Sequence, residues 1–334
     1  MAIINTGPTT LADIANLTQD SDLQKKVLID TIRDYNFLFD QLVLVPGNDG
    51  TACKGTIITD YPEGEVVGYN EGWGSVQAKG RQVRYDSMRV RTSSEVDADL
   101  LDSRKPEEQA TYRLRKDKAI MKGLARQVSK CFFYGNKNNG VLGLYDVLSP
   151  ANAEFAKRII DGGSTKTTSN LDIFLVSSDE ENFFTFYPEY GSQGGVWIDA
   201  RPGKERIDEP NGKHRYAYVT DMGFDFGLAA FNPLNVVRVA NIDSTSLTKD
   251  GKTGADLIDL MTQALEKLEN VNHGHTAFYL GDTLHSFLRR QINAKVQNSL
   301  NWENVAGHSV ITFDGIPVQK IGSDVLMPSK KVSV

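Results

Sequence analysis

Apolar residues first recur at helical spacing between Asp22 and Leu42. Leu23, Val27, Ile32, Tyr35, Leu38 and Leu42 predict a helix there, with Ser21 as its N-cap. Residues 1–19 are polar, carry the breaker Gly7-Pro8 and read as an extended arm. Pro46-Gly47 ends the short apolar run that follows. The clearest periodicity runs from Pro106 to Tyr134. There Leu114, Met121, Leu124, Val128 and Cys131 or Phe132 form one apolar stripe. Pro106 suits the first turn, Glu107 and Glu108 favour the positive end of the helix dipole, and Gly135 suits the position just past the end. Such a helix of roughly 28 residues spans about 42 Å at 1.5 Å per residue. That length suits a structural spine.

Between these helices the pattern changes. KGTIITDYP and SMRVRTSS read as strands. The segment between them, from Glu63 to Asp86, holds five glycines and almost no core-sized apolar cluster. A compact domain rarely tolerates such a stretch unless the loop is functional, so 54–95 is expected to be a long hairpin projecting from the body. Beyond the spine, DIFLVSS (172–178), FFTFY (183–187), RYAYV (215–219), FDFGLAAF (224–231), NVVRVANI (235–242) and AFYLG (277–281) read as strands. Asn211-Gly212 signals a hairpin turn. ADLIDLMTQALEKLEN (255–270) is an amphipathic helix, and DTLHSFLRRQINAKV (282–296) is a helix capped by Asp282. VITFDGIPVQKI (310–321) reads as two strands hinged at Asp314-Gly315. The elements make an α+β chain without regular βαβ alternation and without an internal repeat.

Length and composition narrow the class. A chain of 334 residues exceeds a typical single domain, and 40% hydrophobic with 24% charged residues is enough to build a core. A net charge of −6 argues against a protein that coats nucleic acid through its overall charge, but leaves room for one basic face. Cys53 and Cys131 match no metal or redox spacing and read as free thiols in a reducing compartment. The N-terminus lacks the basic start and apolar run of a signal peptide, and no stretch approaches the roughly 18 apolar residues of a membrane span. A protein made in the cytosol, with no membrane partner, is the expectation.

Candidate chemistry is sparse. Gly251-Lys252-Thr253 follows a strand and precedes a helix, as a phosphate-binding loop does. The motif also needs a glycine at 246, where the chain has Ser, so the segment reads as a surface turn. Gly191-Ser192-Gln193-Gly194 fails the spacing of a nucleophile elbow. Of His214, His273, His275, His285 and His308, only His273 and His275 lie close together, without a third ligand in register. Asp97 and Asp99 read as solvated turn residues. No catalytic, cofactor-binding or metal site is assigned.

The charges are more informative. Lys79, Arg81, Arg84, Arg89 and Arg91 against Asp86 give the hairpin's return limb a net +4. The segment from Glu95 to Glu108 then carries a net −4, and the first 45 residues hold six Asp against three basic residues. These are either solvated faces or a basic hairpin that docks on an acidic patch of another copy, where complementary charge sets orientation. On the spine, Arg115, Lys118, Lys122, Arg126 and Lys130 form one continuous basic stripe. It is either a solvated helix face or a face turned toward packaged DNA or a neighbouring subunit.

The order of elements then becomes recognisable in particular motifs. They are LADIANL (11–17), Val45-Pro46-Gly47-Asn48, Phe132-Phe133-Tyr134-Gly135-Asn136, Gly140-Val141-Leu142-Gly143-Leu144, Gly191-Ser192-Gln193-Gly194, Val239-Ala240-Asn241-Ile242-Asp243, Ala255-Asp256-Leu257-Ile258 and Phe313-Asp314-Gly315-Ile316-Pro317-Val318. Their shared order resembles the major capsid proteins of tailed phages with the HK97-type fold, closest to those of certain short-tailed phages. The resemblance implies an N-terminal arm and helix (1–47), an E-loop hairpin (48–95), a P-domain on the spine helix (96–135, with strands 309–334 returning to it) and an A-domain (136–308). It implies a homo-oligomer of pentamers and hexamers in an icosahedral shell around double-stranded DNA, assembled in the host cytoplasm. It also implies a portal protein and, as a further partner, a cement or decoration protein. The arm starts at Met1 with no scaffolding segment, so a separate scaffolding protein is expected. Some relatives cross-link a Lys to an Asn between subunits; Lys79 is the candidate lysine, and nothing marks its partner. The competing classes are a soluble α/β enzyme, nucleotide-binding or hydrolytic, and another phage structural protein such as a tail component. The long hairpin without a catalytic set disfavours the first, and the spine helix after it disfavours the β-rich second.

The failed motif spacing generates a direct test. The purified protein is expected to hydrolyse neither ATP nor GTP, and Lys252→Ala is expected to leave shell formation intact. Nucleotide turnover above background that disappears in the variant would overturn this reading.

Overall fold

The computed structural model describes residues 9–11, 13–14, 23–36, 38–60, 62–249, 251, 254–269, 271, 275–295, 300–305 and 308–333. Ser21, Lys252, Thr253 and His273 lie outside the described residues. Helix α1 (Leu23–Asn36) buries Leu28, Ile29 and Ile32; of the stripe read from the sequence, Ile32 is buried and Val27 half-buried. It ends earlier than expected: Leu38–Asp40 is a separate 3-10 turn that buries Leu38 and Phe39. The arm is less purely polar than its composition suggests. Leu11 and Ile14 are buried, and the Leu44 amide donates to the Thr9 carbonyl at 2.8 Å. These contacts pin residues 9–14 against strand β1 (Leu44–Pro46).

Strands β2 (Ala52–Asp60) and β3 (Lys79–Asp86) pair antiparallel, with Cys53 opposite Tyr85 and Ile57 opposite Arg81. Residues 62–78 between them are all exposed. Strand β4 (Met88–Asp97) is not the hairpin's return limb, contrary to the reading of 54–95 as one hairpin. It alternates, with Met88, Val90, Ser94 and Val96 buried, and joins a sheet of the body. That two-residue period decides its place, because a half-buried strand must put every second side chain into a core. A one-turn helix at Ala98–Asp102 follows, capped by Asp97, whose carboxylate accepts from the Asp99 and Leu100 amides.

The spine helix α2 (Pro106–Tyr134) has 29 residues, about 44 Å at 1.5 Å per residue. Met121, Leu124, Ala125, Val128, Phe132 and Phe133 are its buried apolar side chains, while Leu114 and Cys131 are half-buried. Gly135 ends it with φ +63°; a Cβ there would stand 2.3 Å from the Val141 carbonyl oxygen, so the chain turns back at once. The chain then lays down β5 (Ile159–Asp161), β6 (Asn170–Ser177), β7 (Phe183–Tyr187), β8 (Val196–Asp208), β9 (His214–Ala230) and β10 (Val236–Asp243). Helix α3 (Leu257–Lys267), strand β11 (Thr276–Gly281), helix α4 (Asp282–Lys295) and strands β12 (Leu300–Val305), β13 (His308–Phe313) and β14 (Ile316–Ile321) complete it.

Two sheets result. The five-stranded sheet runs β1-β7-β9-β4, with β8 also beside β9. Its axis is β9, one 17-residue strand where the sequence suggested two. β8 was missed in the sequence, because Arg201-Pro202-Gly203 reads as a breaker. The structure absorbs it in a register shift between Ala200 and Lys204. The β8–β9 turn carries Gly212 at φ +77°, as Asn211-Gly212 signalled. Residues 183–230 therefore pair with β1 and β4 over the spine, although the sequence reading placed them in the 136–308 range. The seven-stranded mixed sheet runs β12-β13-β14-β11-β6-β10-β5. The C-terminal strands thus join this sheet, and the segment after β14 reaches the spine: Arg126 pairs with Asp324, and Tyr134 Oη accepts from the Met327 amide at 2.8 Å.

One face of the seven-stranded sheet (Phe174, Val176, Ala277, Tyr279) shares the core of the spine helix. The other (Ile173, Leu175, Val237, Phe278, Leu280) is covered by α3 and α4. Burial on both faces explains the unbroken apolar run DIFLV. The two sheets meet through aromatic rings. Phe39 sits 5.3 Å from Phe224, 5.7 Å from Phe226 and 6.2 Å from Phe132, and Phe133 sits 5.6 Å from Phe174.

Asp117 is the exception on the spine's inner face. It is fully buried, and neither carboxylate oxygen has a well-formed hydrogen bond among the described residues. Burial pushes its carboxyl above the usual aspartate range, against the opposing pull of the Ser94 hydroxyl, the Arg113 guanidinium and the Thr220 hydroxyl. A raised folded-state pKa means that the fold favours the protonated form. The site's stability is full below the unfolded value of 3.8 and is lost as pH rises through the folded value. Asp117→Asn is therefore expected to raise the melting temperature by about 2–4 °C near neutral pH. The gain should shrink as pH falls through the folded value, where the wild-type acid itself becomes neutral. Thermal melts across that range check it, and a lower melting temperature for the variant at neutral pH would count against it.

Candidate interaction surfaces

The hairpin is built from a fixed base and a free tip. At the base, Gly55 lies under the Phe231 ring, where a Cβ would stand 2.4 Å from the nearest ring carbon. Tyr85 packs edge-on to Phe231 at 5.5 Å and donates its hydroxyl to the Ala230 carbonyl at 2.7 Å. Burial pushes the Tyr85 phenol up to about 12, with Arg81 pulling the other way, so the hydroxyl stays a donor. Asn48 closes the inner end: its side chain exchanges two hydrogen bonds with the backbone of Lys54, at 2.8 and 2.9 Å. The hairpin base therefore makes more contact with its own subunit than the glycine-rich sequence suggested.

The tip is different. Val66 and Tyr69 are fully exposed, and Trp73 is 78% exposed. The hydrogen bonds of residues 62–78 stay inside the loop: the Gly68 amide donates to Glu71 and the Gly74 amide to Glu65. The tip carries Glu63, Glu65 and Glu71 and no basic residue across 62–78. Sequence reasoning missed these apolar side chains as a site. The available signal was an aromatic pair, Tyr69 and Trp73, set among glycines where no core is being built.

The structure separates the five basic residues assigned to the hairpin. Lys79, Arg81 and Arg84 lie on β3, whereas Arg89 and Arg91 lie on β4 in the body sheet. Several already have partners in their own chain. Arg81 grips Glu154 through two hydrogen bonds, at 2.6 and 3.2 Å. Arg84 lies 3.2 Å from Asp86 and 3.6 Å from Asp49. Arg91 pairs with Asp225 at 2.5 Å and stacks over Trp197 at 4.5 Å, and a Cβ on Gly223 would stand 2.3 Å from its guanidinium. Arg89 is exposed and has no ion pair among the described residues.

The spine stripe does lie together. Arg115, Lys118, Lys122 and Arg126 are exposed and Lys130 is half-buried, along one flank of α2 beside its buried face. Arg126 is tied to Asp324 at 2.5 Å. Arg115, Lys118, Lys122 and Lys130 have no ion pair among the described residues. The cluster therefore presents uncompensated positive charge along several turns of one rigid helix.

Comparison with known proteins bears on these surfaces together. Residues 20–329 match the model of a family described as major capsid protein GP7. The fold is similar to the structure of bacteriophage epsilon15, with 24% identity, full coverage of both chains and a TM-score of 0.62. It is also similar to the bacteriophage JBD30 capsid, with 9% identity over 98% of this chain and 100% of that one and a TM-score of 0.51. No curated protein matches the sequence.

Proposed function

The chain belongs to the major capsid protein GP7 family, and we propose that it builds its shell by docking the projecting hairpin of each subunit onto a neighbouring copy. It is a tailed-phage major capsid protein with an HK97-like α+β fold, a shell-forming structural component of the virion capsid. The observation that carries the docking reading is the tip: Val66, Tyr69 and Trp73 lie in water on a loop that makes no hydrogen bond to the body among the described residues. Apolar side chains in such a group mark a contact with another molecule. A shell of identical subunits supplies that molecule as a second copy.

The charge argument changes with the structure. The tip is acidic and the base is basic, with Arg81, Arg84 and Arg91 satisfied in their own chain. A receiving surface is therefore expected to be basic and apolar opposite the tip, rather than only acidic opposite the limb. Each exposed pair contributes about 0–1 kcal/mol, so shell strength comes from apolar burial and from repetition. In the same reading the functional units are the arm with α1, the hairpin, the spine with the five-stranded sheet, and the seven-stranded sheet with α3 and α4. From the family we also infer pentameric and hexameric capsomers, assembly in the host cytoplasm with a separate scaffolding protein, a portal protein, a decoration protein and non-specific contact with double-stranded DNA.

The spine stripe fits that last contact. Arg115, Lys118, Lys122 and Lys130 have no ion pair among the described residues, and like charges at this spacing repel by a few tenths of a kcal/mol per pair. Phosphates relieve that repulsion without reading sequence, as enclosing any genome requires.

Two outcomes follow. The double variant Tyr69→Ala, Trp73→Ala is expected to melt within about 2 °C of the wild type, because the side chains touch no core. It should nonetheless fail to form shells in negative-stain micrographs; normal shells would overturn the docking reading. For the stripe, a map of the assembled particle is expected to place Arg115, Lys118, Lys122 and Lys130 on the lumenal surface or against a neighbour's carboxylates. An outward position with no acidic group in contact would reduce the stripe to a solvated face.

A further inference from the structure

We infer that the ion pair between Arg81 and Glu154 is a latch that sets the angle of the hairpin before subunits meet. This inference rests on the docking reading above and adds the residues that position the hairpin for it.

The geometry singles out this pair. The hairpin's inner end is fixed on one side by Tyr85 and Phe231. Arg81 lies further out along the hairpin than Tyr85, and its ion-pair partner lies on a different element of the body. Arg81 stands opposite the buried Ile57 in the strand register, so both side chains address the body side of the hairpin. Glu154 has a firm seat. It lies on the one-turn helix Ala153–Ala156, held by the fully buried Phe155 and by Asn152, whose side chain donates to the Val147 carbonyl at 3.2 Å. The contact is bidentate, which fixes the direction of the guanidinium as well as its distance. One anchor at the base leaves a hinge; a second anchor away from the first removes the remaining rotation.

The lever arm makes this matter. From Arg81 to the middle of the tip is about 11 residues, at most roughly 35 Å of extended chain, so a rotation of about 10° at the base moves the tip by about 6 Å. That distance exceeds the width of one side-chain contact. An exposed pair contributes little to global stability, so the latch governs where the tip points rather than whether the subunit folds. Arg81 and Glu154 are thus positioning residues, acting through the tip that makes the contact.

The test uses the full chain, kept below the concentration at which shells form, with spin labels on a non-cysteine handle at Ser75 in the tip and Thr165 on the body. Pulsed electron paramagnetic resonance reads the distance distribution. Wild type is expected to be narrow, Arg81→Glu and Glu154→Lys broad, and the double charge swap narrow again, with melting temperatures unchanged. Because this is measured on unassembled subunits, restoration by the swap reports a pairing within one chain. In parallel, the two single variants are expected to assemble about threefold to fivefold more slowly, since only correctly posed hairpins dock, and the swap should restore the rate. A wild-type distribution that is already broad, or one the variants leave unchanged, overturns the latch. Broadening with no change in assembly overturns its positioning role and speaks against hairpin docking, while leaving the intrachain pairing itself established.

Discussion

The interaction on which the rest of the structure depends is the aromatic junction at the C-terminal end of the spine helix. Phe39 lies within 5.3–6.2 Å of Phe224, Phe226 and Phe132, and Phe133 reaches Phe174. Four elements meet there: the turn after α1, the spine, β9 through two residues and β6 of the second sheet. Each of these rings is buried. Most of the stability of this 29-residue helix comes from the apolar face it buries rather than from its own hydrogen bonds. Both sheets use that face, so the helix holds them in one fixed relation.

Once the spine is covered, the body has no room for the hairpin. Gly55 under Phe231 and Tyr85 on the Ala230 carbonyl bring the strands to the body surface, and the chain beyond runs into solvent. The exposed Tyr69 and Trp73 follow from this division. Under the docking proposal these side chains meet a second copy, and the exposed cations beside the buried face of α2 meet phosphates or a neighbour's carboxylates.

Buried polar groups make the arrangement specific. Arg238 and Asp172 form an ion pair at 3.0 Å, 4% and 0% exposed, with Arg238 also donating to the Leu148 carbonyl and lying 4.6 Å over the Tyr145 ring. Removing one partner of such a pair leaves an uncompensated charge at a cost of about 3–5 kcal/mol. Gln291 is fully buried and accepts from the Leu257 amide while donating to the Thr248 and Ala255 carbonyls. It thereby ties Thr248, Ala255 and the start of α3 to α4.

The sequence by itself determined the elements whose signals are local. The spine helix was legible from Pro106 to Tyr134 because its stripe, its acidic first turn and Gly135 all report the same 3.6-residue period and the same end. The motif order carried the fold, because each turn and strand end is a short-range pattern. What only the tertiary structure decided was partnership. The sequence reading carries the hairpin on to Glu95; Met88–Asp97 has the two-residue period of a half-buried strand, and β9 beside it is the partner that the fold supplies. Val196–Asp208 holds a Pro-Gly pair that breaks a strand locally, and a register shift against β9 lets it pass. Arg81, Arg91 and Arg238 look alike in the sequence. Glu154, Asp225 and Asp172, at 73, 134 and 66 residues' separation, make one a latch, one a surface stack and one a buried pair. A charge has no periodicity of its own, and its role depends on which distant group the fold places within hydrogen-bond reach.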